Sequence, residues 1–119
     1  MNTLTAVDTY ALKDAFESRD TDAQLELYAD DAQVTIADPE TQAGQPRQLN
    51  GKEEIRTWLE EINSRELTHT VTQTVSGDEG IAYVESCRYP NGGKVLSATV
   101  CETEDGLITK QTSVVTWDQ

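Results

Sequence analysis

One histidine and a handful of carboxylates carry whatever acid–base chemistry this 119-residue chain can do. His69, the only histidine, stands in LTHTVTQTV, Glu85 stands in GIAYVESCRY, and Asp38 immediately precedes Pro39. Asp30 and Asp31 form a further acidic pair in LELYADDAQVTIADP. An imidazole beside a carboxylate can act as general acid or base, with the carboxylate orienting the ring. A second carboxylate can abstract a proton next to a carbonyl or activate a water. Such groups work only where they converge on one cavity, so the elements that carry them decide the matter.

In LTHTVTQTV the odd positions Leu67, His69, Val71, Gln73 and Val75 oppose an even face made only of threonine, which predicts the odd face inward. In GIAYVESCRY the bulkier set is again odd: Ile81, Tyr83, Glu85, Cys87 and Tyr89. Inward apolarity on both strands requires an odd loop between them, which places His69 opposite Cys87 and diagonal to Glu85. Diagonal neighbours lie ~7–8 Å apart at Cα, within reach of two polar side chains. If PNGG closes the next hairpin evenly, Tyr89 pairs with Lys94, Cys87 with Leu96 and Glu85 with Ala98. Cys101 then pairs with Ala82, on the other face from Cys87 and far beyond disulfide reach, so both thiols are expected free.

The remaining elements follow from periodicity. A first helix is expected over Thr5 to Ser18, with Leu4, Val7, Ala11 and Ala15 on one stripe and Leu12 and Phe16 widening it. A short second helix is expected after Thr21, whose spacing to Gln24 fits a capping box, and carries Leu25, Tyr28 and Ala29. A third follows Asn50 and Gly51, with Asn50 and Glu53 cap-like and Ile55, Trp58, Leu59 and Ile62 on one face. AQVTIAD reads as a strand, and a segment around PRQL as its partner. Four more strands are expected near 66–76, 80–89, 94–104 and 107–117, separated by the turn sequences GDEG, PNGG and EDG. Together they describe a single α+β domain over residues 1–119, a curved, mainly antiparallel sheet of five or six strands wrapped around three helices.

Charge narrows the partners. The chain carries 9 Lys+Arg against 22 Asp+Glu, for a net charge of −13. Such a surface repels phosphate backbones and anionic lipids, so neither nucleic acid nor membrane is expected as a partner. Few lysines and many threonines suit a protein working in high salt; an ordinary acidic protein carries the same balance, and both readings stand. No basic-plus-apolar leader and no membrane-length apolar run is visible, which predicts a cytoplasmic protein. One histidine, scattered carboxylates and two cysteines lack metal-ligand spacing, and PNGG and GDEG are hairpin turns rather than phosphate loops. No metal and no cofactor is therefore expected.

LYADDAQV, then DP, then NGKEEIRTWL, then two long strand pairs ending in EDGLITKQ, resembles the ketosteroid isomerase-like and SnoaL-like polyketide cyclase group of the nuclear transport factor 2 superfamily. The likeness spans nearly the whole chain. It implies a cone-shaped α+β barrel, open at one end, with a pocket between helices and sheet, and a homodimer formed through the sheet. It also implies that Asp30 and Asp31 are a structural corner at the end of the second helix, bonding nearby backbone N–H groups. The steroid isomerases place a catalytic aspartate before a proline in the first strand, and Asp38 precedes Pro39. Two extra residues separate Asp38 from the strand's Ala-x-Val anchor, so Ile36 takes the matching position and Asp38 lies ~6–7 Å further along the same face. Asp38 opening a turn before a proline is the competing reading. The steroid isomerase's oxyanion hole uses a tyrosine and a protonated aspartate. The matching positions here hold Leu12 and Ala98, which argues against that mechanism.

With odd faces inward, the expected pocket lining is Ile36, Asp38, Trp58, His69, Val71, Gln73, Tyr83, Glu85, Ala98, Gln111, Ser113, Val115 and Trp117. Two functions fit. In the first, a His69–Glu85 dyad, with Asp38 as second carboxylate, performs cofactor-independent isomerase, cyclase, dehydratase or hydrolase chemistry on a compact carbonyl or hydroxyl compound. In the second, the pair is only a hydrogen-bonded buried couple, and the domain binds a small molecule or a protein without turnover.

Overall fold

The structure is a computed structural model that describes residues 7–118. The apolar stripe forms α1 (Thr9–Glu17), which buries Leu12, Ala15 and Phe16. It starts later than expected because Asp8 caps it, accepting from Tyr10 N at 2.9 Å and Ala11 N at 3.2 Å. The stretch before Val7, Leu4 included, lies outside the described residues. One turn of helix, α2 (Thr21–Leu25), follows. Its cap is Asp20, which accepts from Ala23 N at 3.1 Å, so Thr21 is the first helical residue rather than the cap.

Tyr28 and Ala29, expected on the second helix, instead open β1 (Tyr28–Ala37). Asp30 and Asp31 therefore sit on a strand, not at a helix end. Both face solvent, and Asp30 reaches Lys52 at 3.8 Å. They occupy the irregular stretch in which β1 slips against its neighbour between Tyr28 and Gln33. The segment around PRQL forms β2 (Arg47–Asn50), antiparallel to β1. Gly51, at φ +87°, then turns the chain into α3 (Lys52–Asn63) while donating its N–H to Ala32 O at 2.8 Å. The expected cap pair of Asn50 and Glu53 is replaced by Glu54, whose Oε1 accepts from Asn50 N at 2.8 Å.

The second half forms β3 (Thr68–Ser76), β4 (Gly80–Arg88), β5 (Lys94–Glu104) and β6 (Leu107–Trp117). All six strands make one curved, open sheet in the order β2-β1-β6-β5-β4-β3, antiparallel throughout except β1 with β6. The three helices belong to the N-terminal half, and their buried side chains meet Val34, Ile36, Ile81, Tyr83 and Ile108 of the sheet in one core. No helix among the described residues is long and apolar enough to cross a membrane.

Two pairings differ from those expected. In β3, Val71 opposes Glu85 but Gln73 opposes Val84, so Thr72 is an extra residue in a bulge. Every side chain beyond it changes face, which leaves Gln73 and Val75 exposed. The β4–β5 hairpin closes with Arg88 opposite Lys94, an odd loop where an even one was expected. Glu85 thus opposes Ser97 rather than Ala98, and Cys101 opposes Ile81 on the same face as Cys87. Both thiols are buried and free.

Candidate functional site

The β3–β4 ladder sets His69 opposite Cys87, two pairs along from Val71 and Glu85. From the diagonal position the Glu85 carboxylate reaches the ring: His69 Nδ1 and Glu85 Oε2 are 2.7 Å apart, and Cys87 Sγ lies 3.1 Å from the same nitrogen. The His69 and Glu85 side chains keep only 4% and 11% of their surface exposed. With Glu85 ionised, the ring proton sits on Nδ1 and is donated to Oε2, which leaves Nε2 a bare lone pair. That Nε2 is buried and has no hydrogen-bond partner among the described residues. Cys87 stays a thiol: burial first, then the Glu85 charge, pushes its pKa up to about 12. Burial alone holds Cys101 up at about 12.

All three side chains line a cavity of about 440 Å³ between the helices and the sheet, within the range of small-molecule sites. Its far wall is a chain of hydroxyl and amide groups from β5 and β6. Buried Tyr28 donates its hydroxyl to Gln111 Oε1 at 2.6 Å, and Gln111 Nε2 donates to Ser113 Oγ at 3.1 Å. Ser113 Oγ and Thr99 Oγ1 then share a hydrogen bond of 2.8 Å. Burial drives the Tyr83 phenol pKa upward, so it stays a neutral hydroxyl. Phe16, Trp58 and Leu59 supply the apolar helical side, and Arg47, Asp38 and Trp117 also border the cavity.

Among the residues expected from sequence, Ile36, Asp38, Trp58, His69, Tyr83, Glu85, Gln111, Ser113, Val115 and Trp117 line this cavity. Val71 does not; it is buried in the core beneath it. Gln73 is turned to solvent by the bulge, and Ala98 is turned to the outer face by the odd hairpin loop. Ser97 and Thr99 take the place assigned to Ala98, and Arg47 was not anticipated at all. The odd hairpin loop, in place of the even one expected, is what turns Ser97 and Thr99 inward. Asp38 shares in both of its readings. It borders the cavity, but its Oδ1 accepts from Glu40 N at 2.7 Å and its backbone N–H donates to Thr41 Oγ1 at 2.9 Å, a closed turn around Pro39.

The curved sheet and three helices enclosing a polar pocket define an α+β class of domain that comparisons with known proteins place in a family. Residues 9–111 match the SnoaL-like domain family, and the chain belongs to that family. Solved structures of the same fold include a nuclear transport factor 2-like protein of unknown function from Mesorhizobium loti. It is 16% identical, with a TM-score of 0.77 over 90% of this chain and 86% of that one. A candidate ketosteroid isomerase from Kribbella flavida is 17% identical, with a TM-score of 0.73 over 93% and 75%. IdmH, a candidate polyketide cyclase from Streptomyces antibioticus, is 20% identical, with a TM-score of 0.69 over 90% and 88%. At these identities the likeness is one of fold. No curated protein matches the chain.

Proposed function

We propose that the protein performs cofactor-independent acid–base chemistry on a compact carbonyl or hydroxyl compound held in the cavity, with His69 as base and Glu85 as its orienting partner. The carrying observation is the asymmetry of the ring: Nδ1 is held at 2.7 Å by a buried carboxylate, while Nε2 has no hydrogen-bond partner among the described residues. Nε2 takes a proton from carbon next to a carbonyl, or from a hydroxyl or water, and Glu85 stabilises the imidazolium that forms. The Thr99–Ser113–Gln111 wall supplies donors for an oxygen that gains charge in that step. Asp38, with one oxygen committed to its turn, is a second carboxylate at the cavity's edge. Family members related to ketosteroid isomerases and polyketide cyclases make isomerisation and ring closure the reaction types to try first.

The test is mass spectrometry of the organic extract from natively purified protein beside extracts from His69→Gln and Glu85→Gln. A small molecule enriched in the wild type, and lost or chemically altered in the variants, supports the reading. One retained unchanged in both variants sinks the catalytic part and favours a binding module. A specific observation favours that second reading: Nε2 is buried as the ring stands, so a ligand must shift it slightly to reach the lone pair.

We further propose that the domain works as a homodimer through the outer face of β4, β5 and β6. That face holds Val84, Leu96, Ala98, Val100 and Val114, of which Leu96, Val100 and Val114 are at least half exposed. Its centre carries no charge in a chain of net charge −13, so a second copy of the same patch meets it without like-charge repulsion.

A further inference from the structure

Nδ1 of His69, a carboxylate oxygen of Glu85 and Sγ of Cys87 all lie within 4.8 Å of one another, and all three residues are buried. No linear motif announces this set. It arises because Glu85 and Cys87 alternate on one face of β4 while β3 brings His69 opposite Cys87. Nitrogen, sulfur and oxygen donors together suit a borderline-soft dication such as zinc, which binds them at about 2.0–2.3 Å in tetrahedral array. Those bond lengths require donor separations of about 3.4–3.6 Å. The observed 2.7 Å and 3.1 Å are hydrogen-bonded contacts, so the side chains must part by about 0.5–0.7 Å to admit an ion. Hard cations want more oxygens and wider shells, and this trio serves them poorly.

Charge balance points the same way. Among the described residues, the Lys and Arg ion pairs lie elsewhere, on Glu17, Asp30, Asp22 and Glu61, and the buried Glu85 has only His69 beside it. A carboxylate, a thiolate and a dication sum to zero, removing an uncompensated buried charge. All three residues also line the cavity, so an ion can reach them from it.

We propose that His69 Nδ1, Glu85 and Cys87 Sγ form a site for one zinc-class divalent cation on the wall of the cavity. Binding uses the Nδ1 lone pair, displaces the thiol proton to solvent and moves the ring proton to Nε2. The free nitrogen thereby changes from acceptor to donor, and the acid–base function is switched off while the ion is held. Only this last consequence rests on the acid–base reading; the binding itself does not.

The experiment is titration of the reduced protein with Co²⁺ in excess Mg²⁺, which occupies the surface carboxylates, followed by displacement with Zn²⁺. One equivalent is expected to give a sulfur-to-cobalt charge-transfer band and the intense visible bands of a tetrahedral site. The charge-transfer band should vanish in Cys87→Ser and persist in Cys101→Ser, the other buried thiol. His69→Gln should weaken binding by more than the roughly 10–100-fold that loss of an outer-shell partner costs. Absence of the band in the wild type overturns the site, as does its survival in folded Cys87→Ser. Should Cys87→Ser fail to fold, wild-type cobalt affinity in His69→Gln overturns it instead. A failed titration alongside an extract altered by His69→Gln defeats the metal site alone. Cobalt binding alongside an unaltered extract defeats the acid–base reading alone.

Discussion

At the residue scale, the pocket is tuned by side chains that never touch its contents. Tyr28 is completely enclosed, yet its hydroxyl decides which way the Gln111 amide points and so which donor faces Ser113. Tyr28→Phe is expected to cost about 1–3 kcal/mol by stranding the amide oxygen, measurable by urea unfolding. The two thiols give a pH test. Held near 12, each is about one part in ten thousand thiolate at pH 8, so metal-free native protein should resist iodoacetamide until alkaline pH. Because the Glu85 charge is a cause only for Cys87, Glu85→Gln should speed alkylation of Cys87 and leave Cys101 slow, as read by peptide mass spectrometry. Equal rates for the two thiols would contradict that assignment. The meeting of His69 with Glu85 was legible in sequence because alternation set both inward faces, but the odd loop expected between the strands is in fact even, Ser76 opposing Ile81, and the bulge at Thr72 supplies the offset instead. Cys87 was legible at the same place, opposite His69, but not as a possible ligand, since a thiol at a strand's inner position looks like any small apolar residue.

At the element scale, α1 is fastened to β3 by a single clasp. Glu17 accepts the Val71 N–H at 2.9 Å, Lys13 Nζ reaches the Val71 carbonyl at 3.3 Å, and the two side chains pair at 2.6 Å. This satisfies both backbone groups of the residue just before the bulge. The Lys13 hydrogen bond and the Val71 N–H hold the Glu17 pKa below its ordinary value. A lowered carboxylate pKa adds stability that is present above the unfolded-state value and lost as pH falls through the folded one. Glu17→Gln should therefore cost about 1 kcal/mol at neutral pH, partial exposure reducing a charged hydrogen bond's usual worth, and almost nothing in strong acid. Thermal unfolding at two pH values checks this; an equal loss at both would refute it. Element order, six strands and three helices were readable from periodicity and turns. Register was not, because one extra residue at Thr72 and one at the β4–β5 loop each invert a face. The inversion in β5 escapes the sequence because an even PNGG turn puts Leu96 and Ala98 inward, whereas the odd loop between Arg88 and Lys94 gives the cavity Ser97 and Thr99.

At the scale of the whole molecule, charge and shape make separate demands. Self-repulsion from −13 should make stability rise with salt, so the thermal midpoint should climb between dilute buffer and molar sodium chloride. A midpoint indifferent to salt would mean the surface charges are already well spaced. The uncharged centre of the outer sheet face predicts a dimer by light scattering, dissociated by Val100→Glu with the far-ultraviolet spectrum unchanged; a wild-type monomer at high concentration would rule it out. An open sheet also has two ends. One is β2, only four residues long. The other is β3, whose THTVTQTVS contains neither proline nor charge, the composition from which strands recruit further copies of themselves. The Lys13–Glu17 clasp occupies the middle of that strand's free margin. It therefore acts as a guard against fibrous growth as well as a fastening, and a Lys13→Ala/Glu17→Ala protein that still folds should seed thioflavin-positive polymer where the wild type stays dispersed.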